Sequence, residues 1–169
     1  MIKLDIGRVP DGHSHLDIEA EGSDLEACLE DGRLESPVNL RLDLDRRGDD
    51  IFIKGMVEAR AVLGCSRCLI EYSLELEAPL ELWCMVSGES DAAGEEDREN
   101  VVRISPGAKF MDLAGPARSE LLLLLPLKPL CDEGCKGLCP GCGIDLNASS
   151  CSCGPEGHDS RWDALNKIK

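Results

Sequence analysis

The sequence predicts an α+β fold: a mainly antiparallel β-sheet or partial barrel with one buried helix, ending in a C-terminal cysteine-rich, zinc-ribbon-like tail. Three observations carry that prediction. Residues 37–86 alternate apolar and polar side chains with a period of two, as half-buried strands do. One apolar run, "LLLLLPL" from Leu121 to Leu127, follows helix-start signals. Six of the ten cysteines crowd into "CDEGCKGLCPGCGIDLNASSCSC", Cys131 to Cys153. Residues 1–125 then form an acidic β-rich body, and residues 126–169 a zinc-binding tail with a short terminal helix.

Taken in order, "IKLDI" and "SHLDIEA" read as short strands of the same sheet. "VNLRLDLD" alternates cleanly, "RRGDD" supplies a turn, and "IFIKGMVEARAVL" continues the period with an interruption at Gly55. After "GCSRC" the pattern resumes in "YSLELEAPLELW". The meander has one buried face and one acidic, wet face. "SGESDAAGEEDREN", residues 87–100, is small and acidic with no periodicity and reads as a solvated loop. "VVRIS" is a further strand. In "MDLAGPARSELLLLLP", residues 112–125 predict a helix capped by Asp112, with Pro116 in its first turn and Pro126 as its stop. Leu121 to Leu125 are apolar all round, so the helix is expected to be largely buried as the centrepiece of the core.

The chain has 169 residues, 43% of them hydrophobic, which is enough to bury a core. It has only one Tyr, two Phe and two Trp, so that core must be aliphatic and some stabilisation must come from elsewhere. The formal charge is −15, and residues 1–125 carry 27 acidic against 13 basic side chains. Such a body repels phosphate backbones and anionic membranes, and a basic protein is its electrostatic complement. Residues 126–169 are close to neutral, with Lys128, Lys136, Arg161, Lys167 and Lys169 opposing six acids. That tail is the part best able to touch an anion, through Lys136, Arg161 and the stacking surface of Trp162 as candidate partner-binding residues. The alternative for Trp162 is a hydrophobic plug on a terminal helix.

No apolar run reaches the roughly 20 residues that span a bilayer. The opening "MIKLDIGRVPDGHSH" lacks the apolar core of a secretory signal. The expected location is the cytoplasm, where clustered thiols serve as metal ligands or redox groups rather than as disulfides.

The tail cysteines are spaced C-x3-C-x3-C-x2-C-x8-C-x-C. "CPGCG" is the most diagnostic piece, because its Pro-Gly turn aims two sulfurs at one ion and the following Gly allows a tight backbone. Candidate metal ligands are therefore Cys131, Cys135, Cys139, Cys142, Cys151 and Cys153, with Cys139 and Cys142 foremost. Spacing leaves two sets open. Cys139, Cys142, Cys151 and Cys153 close a short ribbon, although the single residue between the last two makes joint ligation awkward. The other set takes Cys131 or Cys135 with the "CPGC" pair and one of the last two. Cys65 and Cys68, in "CSRC" at a hairpin turn, are either half of a metal site completed by the tail or a redox pair activated by Arg67. The absence of a βαβ setting favours metal. Cys28 and Cys84 read as small buried hydrophobes. His13 and His15 read as surface residues, and His158 as a weaker alternative ligand.

Nucleotide-binding, zincin and serine-hydrolase signatures are missing, and an all-cysteine site with no adjacent acid or base points to structural zinc. No enzyme activity and no small-molecule substrate are expected. The competing binding-module reading is a thiol redox sensor or zinc-regulated chaperone.

"CSRCL", then "LLLLLPLKPLCDEGCKGLCPGCGIDLN", then "CSC" and "DSRWDALNKI" together resemble the YceD family, large ribosomal RNA subunit accumulation proteins, from about residue 40 to the end. The resemblance implies a cytoplasmic bacterial, non-enzymatic ribosome-biogenesis factor that supports accumulation of large-subunit (23S) ribosomal RNA. By position, Cys65 and Cys68 match the family's C-x-x-C, the six tail cysteines its C-terminal thiols, and Arg161 and Trp162 its basic-aromatic ending. Because some relatives lack the tail cysteines, the resemblance also implies that zinc stabilises this branch rather than performing the shared activity. An acidic body joined to a ribosomal RNA role predicts a basic ribosomal protein or assembly intermediate as partner, with local RNA contact by the tail as the alternative.

Overall fold

The computed structural model describes residues 2–25, 32–86 and 100–153, the side chains of Ser36 and Val86 excepted. Cys28, most of the acidic loop, His158, Arg161, Trp162 and the expected terminal helix lie outside the described residues.

The chain forms strands β1 (Lys3–Asp5), β2 (Gly12–Ala20), β3 (Gly32–Arg47), β4 (Asp50–Gly64), β5 (Glu71–Val86), β6 (Val101–Ile104) and β7 (Phe110–Asp112), then helix α1 (Ala114–Leu123). The main sheet has the order β2-β3-β4-β5-β6. Its first four strands are an antiparallel meander, as the two-residue period predicts, and β6 adds in parallel to β5. Among the described residues the sheet is open, with β2 and β6 at its edges.

The N-terminal "IKLDI" does not join this sheet. Its strand β1 pairs antiparallel with β7 in a separate two-stranded ribbon. A period of two reports that a strand has two faces, not which neighbour it will pair with.

One face of the meander builds the core. Val38, Leu40, Leu42 and Leu44 of β3, Ile51, Ile53 and Val57 of β4, and Leu76, Leu80, Leu82 and Cys84 of β5 are all buried. They pack against Leu4 and Met111 of the ribbon and against Leu25, Leu113, Ala117 and Leu121. No aromatic side chain is among these buried residues, as the composition requires. Cys84 is a core residue whose sulfur sits 3.0 Å from that of Met111, and burial pushes its thiol up to about 12. Arg46 ties the N-terminal segment to the sheet, donating from Nη1 to the carbonyls of Ile6 and Val9 at 2.9 and 2.8 Å.

The opposite face is wet and cross-linked by ion pairs: Lys54 with Glu81, Arg60 with Glu75 and Arg33 with Glu71. Exposed pairs of this kind set register more than they add stability.

The interruption at Gly55 has a steric cause. A Cβ there would collide with the carbonyl oxygen of Arg41 on the neighbouring strand, so only glycine lets β3 and β4 approach at this point.

Helix α1 corrects the expectation of a largely buried centrepiece. It begins at Ala114, and Asp112 accepts from the Ala114 N–H at 3.0 Å from just outside the helix. Only Ala114, Ala117 and Leu121 of the helix are buried, whereas Leu122, Leu123 and Leu124 are exposed, Leu123 at 79%. A ten-residue helix has room to press only one stripe onto the sheet, so consecutive leucines necessarily point several ways.

Candidate metal centres

The eight cysteines under discussion gather into two tetrads. Cys65, Cys68, Cys131 and Cys135 form an inner one, Cys139, Cys142, Cys151 and Cys153 an outer one, and within each all four sulfurs lie inside 4.8 Å of one another.

The inner tetrad joins body to tail. Cys65 and Cys68 occupy the turn between β4 and β5, and Cys131 and Cys135 lie in the loop beyond α1. The sulfurs of Cys65 and Cys135 are 3.8 Å apart, those of Cys68 and Cys131 3.6 Å. Tyr72, Leu130 and Leu138 pack around them. Arg67 holds the arrangement from the side: its Nη1 donates to the carbonyls of Glu133 and Cys135 at 3.1 and 2.7 Å. Its own carbonyl accepts from the Leu138 N–H at 3.0 Å. This guanidinium therefore acts as a strut between the two chain segments.

The outer tetrad is built within the tail. Its Cys139–Cys151 and Cys142–Cys151 sulfur separations are 3.2 and 3.6 Å. Leu138 and Asp145 bridge in antiparallel fashion at the base of the "CPGC" loop. Both members of "CSC" bring their sulfurs to the same group, with the Cys153 N–H donating to the Cys151 sulfur at 3.1 Å. The alternative in which Cys131 or Cys135 completes the "CPGC" pair is thus not the grouping that forms. Both residues turn back to the body instead.

The two C-x-x-C loops share one backbone design. In the outer loop Gly143 N–H donates to Cys139 O and Cys139 N–H to Ile144 O, both at 2.8 Å. In the inner loop Leu69 N–H donates to Cys65 O and Cys65 N–H to Ile70 O, both at 2.9 Å. Each loop needs a left-handed residue after its second cysteine, filled by Gly143 at φ 74° and by Leu69 at φ 62°. Leucine is strained there, so Leu69→Gly is expected to stabilise the metal-loaded protein by about 0.5–1 kcal/mol. A urea denaturation midpoint that fails to rise would count against that strain.

These separations suit a single tetrahedral ion. Metal–sulfur bonds of about 2.3 Å imply sulfur–sulfur edges of about 3.8 Å. A cluster, by contrast, spreads its thiolates over different metal atoms. The backbone also prepares the charge. The Cys142 N–H, the Cys151 thiol and the Gly141 N–H draw Cys139 down to about 6. At Cys65 burial opposes ionisation, but N–H groups of Cys131, Cys68 and Arg67 prevail and bring it to about 6. Cys131 moves the other way, to about 12, through burial and the neighbouring thiols. At Cys151 the Cys153 N–H favours the thiolate, yet the thiols of Cys139 and Cys153 outweigh it and push the group to about 12. Crowded sulfurs resist a second negative charge until a cation neutralises the first.

His13 and His15 stand exposed on β2, as their reading as surface residues predicts, with carboxylates beside them. His15 Nδ1 lies 3.1 Å from Asp43 and its Nε2 3.1 Å from Asp17, and Asp43 first among its partners raises its pKa. Lys136 is exposed, and its backbone N–H donates to Asn147 Oδ1 at 2.8 Å. Asn147 was overlooked by sequence reasoning: its Nδ2 also reaches the Cys135 sulfur at 3.4 Å, linking the tetrads. The only cue is an Asn five residues past "CPGC", which by itself carries no metal signal.

Fold and tetrads together define a small β-sheet protein braced by two four-cysteine groups, each able to hold one metal ion. A family model described as large ribosomal RNA subunit accumulation protein YceD matches residues 53–169, a span that contains both tetrads. The chain belongs to the YceD family. It is 26% identical over 190 residues to an Arabidopsis thaliana protein named large ribosomal RNA subunit accumulation protein YCED homolog 1, chloroplastic, covering 99% of this chain and 59% of that one. The maize protein of the same name is 29% identical, covering 82% and 58%. An uncharacterised Mycobacterium tuberculosis protein is 35% identical over 129 residues, covering 73% and 60%. The chain thus spans somewhat over half the length of these relatives. No solved structure matches it significantly. Among the described residues no helix is long and apolar enough to cross a membrane.

Proposed function

We propose that this chain is a non-enzymatic bacterial factor of the cytoplasm that supports accumulation of large-subunit (23S) ribosomal RNA by holding a basic ribosomal protein or assembly intermediate, with two structural zinc ions bracing it. The observation that carries this reading is the family match over residues 53–169. Its chemistry agrees. Each tetrad already offers four thiols and includes neither His nor carboxylate, so a tetrahedral ion there keeps no open position for a substrate. All-sulfur tetrahedral donors suit zinc. The acidic body favours a cationic protein over direct RNA binding.

Zinc uptake should be proton-coupled. Cys131 and Cys151, near 12 without metal, must each release a proton on ligation. Affinity is therefore expected to fall as pH falls, and to fall more steeply below about 6, where Cys65 and Cys139 also protonate. Competition with a chromophoric chelator across that range measures it, and a flat profile would exclude thiolate ligation.

The functional test is the ratio of large- to small-subunit ribosomal RNA in depleted cells, rescued by the wild-type chain or by Cys139→Ser/Cys142→Ser. Selective loss of the large-subunit RNA, restored by the wild type, supports the reading. An unchanged ratio removes it. One observation favours the redox-sensing alternative: Cys142 and Cys153 are exposed. Oxidation that expels metal at mild peroxide doses, while the RNA ratio stays constant on depletion, would select it.

A further inference from the structure

We propose that the outer face of the sheet around Phe52 and Trp83 is a docking surface for an arginine- or lysine-rich polypeptide segment, a site that rests on the basic-partner reading above and gives that partner a place. The chain has two Phe and two Trp. One of each is set side by side across the β4–β5 ladder, where Phe52 is the register partner of Trp83. Both rings belong to the wet face and remain 44% and 40% exposed, while the core on the other face is filled by aliphatic side chains. Burying them would have been worth more to stability than leaving them in water. Their position therefore calls for an occupant.

The surroundings choose its sign. The pair lines a groove of about 490 Å³ together with Asp45, Arg47 and Asp50. Among the described lining residues the one cation, Arg47, is held by Asp45 at 2.8 Å. In the adjoining row Lys54 is likewise held by Glu81 at 2.7 Å. Asp50 adds a second carboxylate at the rim, and the molecule as a whole carries −15. A guanidinium or ammonium group can lie over the ring faces, run its aliphatic stem along them and meet the carboxylates at the edge. A nucleic-acid strand also stacks on aromatics, but its phosphates would approach a strongly anionic surface. Charge therefore separates the two occupants.

The test uses the full chain with metal bound and the Trp162→Phe substitution, which leaves Trp83 as the sole tryptophan. A fluorescein-labelled nona-arginine peptide is titrated at physiological salt, with Trp83 emission and peptide anisotropy as readouts. Saturable binding that perturbs Trp83 is expected. Phe52→Ala and Asp50→Asn should each weaken it by about tenfold, as measured by anisotropy. Asp17→Asn/Glu19→Gln, which removes charge from the outer face of the edge strand β2, should change it by less than about twofold. Unchanged melting and metal content certify that the variants fold. Equal binding by all variants, or binding of an oligouridine in place of the peptide, overturns the docking surface. The RNA-ratio assay separates this from the wider reading. A depletion phenotype, together with peptide binding left unchanged by both Phe52→Ala and Asp50→Asn, overturns the docking surface alone. Peptide binding lost in the variants, with no depletion phenotype, overturns the ribosomal role and leaves the surface standing.

Discussion

Replacing Cys65 and Cys68 together by serine is expected to cut bound metal from about two ions per chain to about one, and to lower the melting temperature by about 10 °C or more. The inner tetrad is the reason for so large an effect. It is the point at which the hairpin end of the main sheet meets the loop beyond α1, and three of its four cysteines are buried. Without the ion, Arg67 and a small apolar cluster of Tyr72, Leu130 and Leu138 would have to hold the tail alone. Without a cation the crowded thiols would also resist a second ionisation, as Cys131 already does. Cys139→Ser/Cys142→Ser should likewise lose one ion but leave the melting of the sheet nearly unchanged, because the outer tetrad is made within the tail. Elemental analysis with thermal melts of the two variants decides the matter. Equal losses of stability would mean that the inner centre is no more a brace than the outer one.

Gly55→Ala is expected to destabilise the protein by about 3 kcal/mol or more, although it adds a single methyl group. The added carbon would strike the Arg41 carbonyl, which is backbone and cannot swing aside as a flexible side chain can. Relief requires β3 and β4 to part in the middle of the sheet, beneath Leu42 and Leu80, both fully buried. Gly115→Ala is the control. Nothing lies near its added methyl, and it should stabilise helix α1 by about 0.5–1 kcal/mol. Urea denaturation of both variants measures the contrast, and a Gly55→Ala midpoint close to wild type would show that the sheet adjusts at little cost.

Much of this architecture was legible in the residues. The period-two stretches in "VNLRLDLD", "IFIKGMVEARAVL" and "YSLELEAPLELW" became the central strands, and "RRGDD" became the turn where Arg47 pairs with Asp50. The Pro-Gly turn of "CPGC" announced a metal loop, and "CSRC" a partner for the tail. Local rules suffice for such features, because side-chain alternation and turn chemistry act over a few residues.

Where those features meet was decided by the tertiary structure. Nothing within "CSRC" or "CDEGC" says that they share a tetrad, since strands β5, β6 and β7 and helix α1 separate the first pair from the second. Pairing at that distance depends on how the helix returns the chain across the sheet. The same global choice sent "IKLDI" to a separate ribbon with β7 and left Leu122 to Leu124 in water. Composition and spacing determined that this protein would be an acidic, aliphatic-cored sheet with thiol loops able to hold metal. Only the folded chain determined which thiols face one another and that Phe52 and Trp83 stand together outside, because such adjacency follows from strand order and register, which no short window of sequence contains.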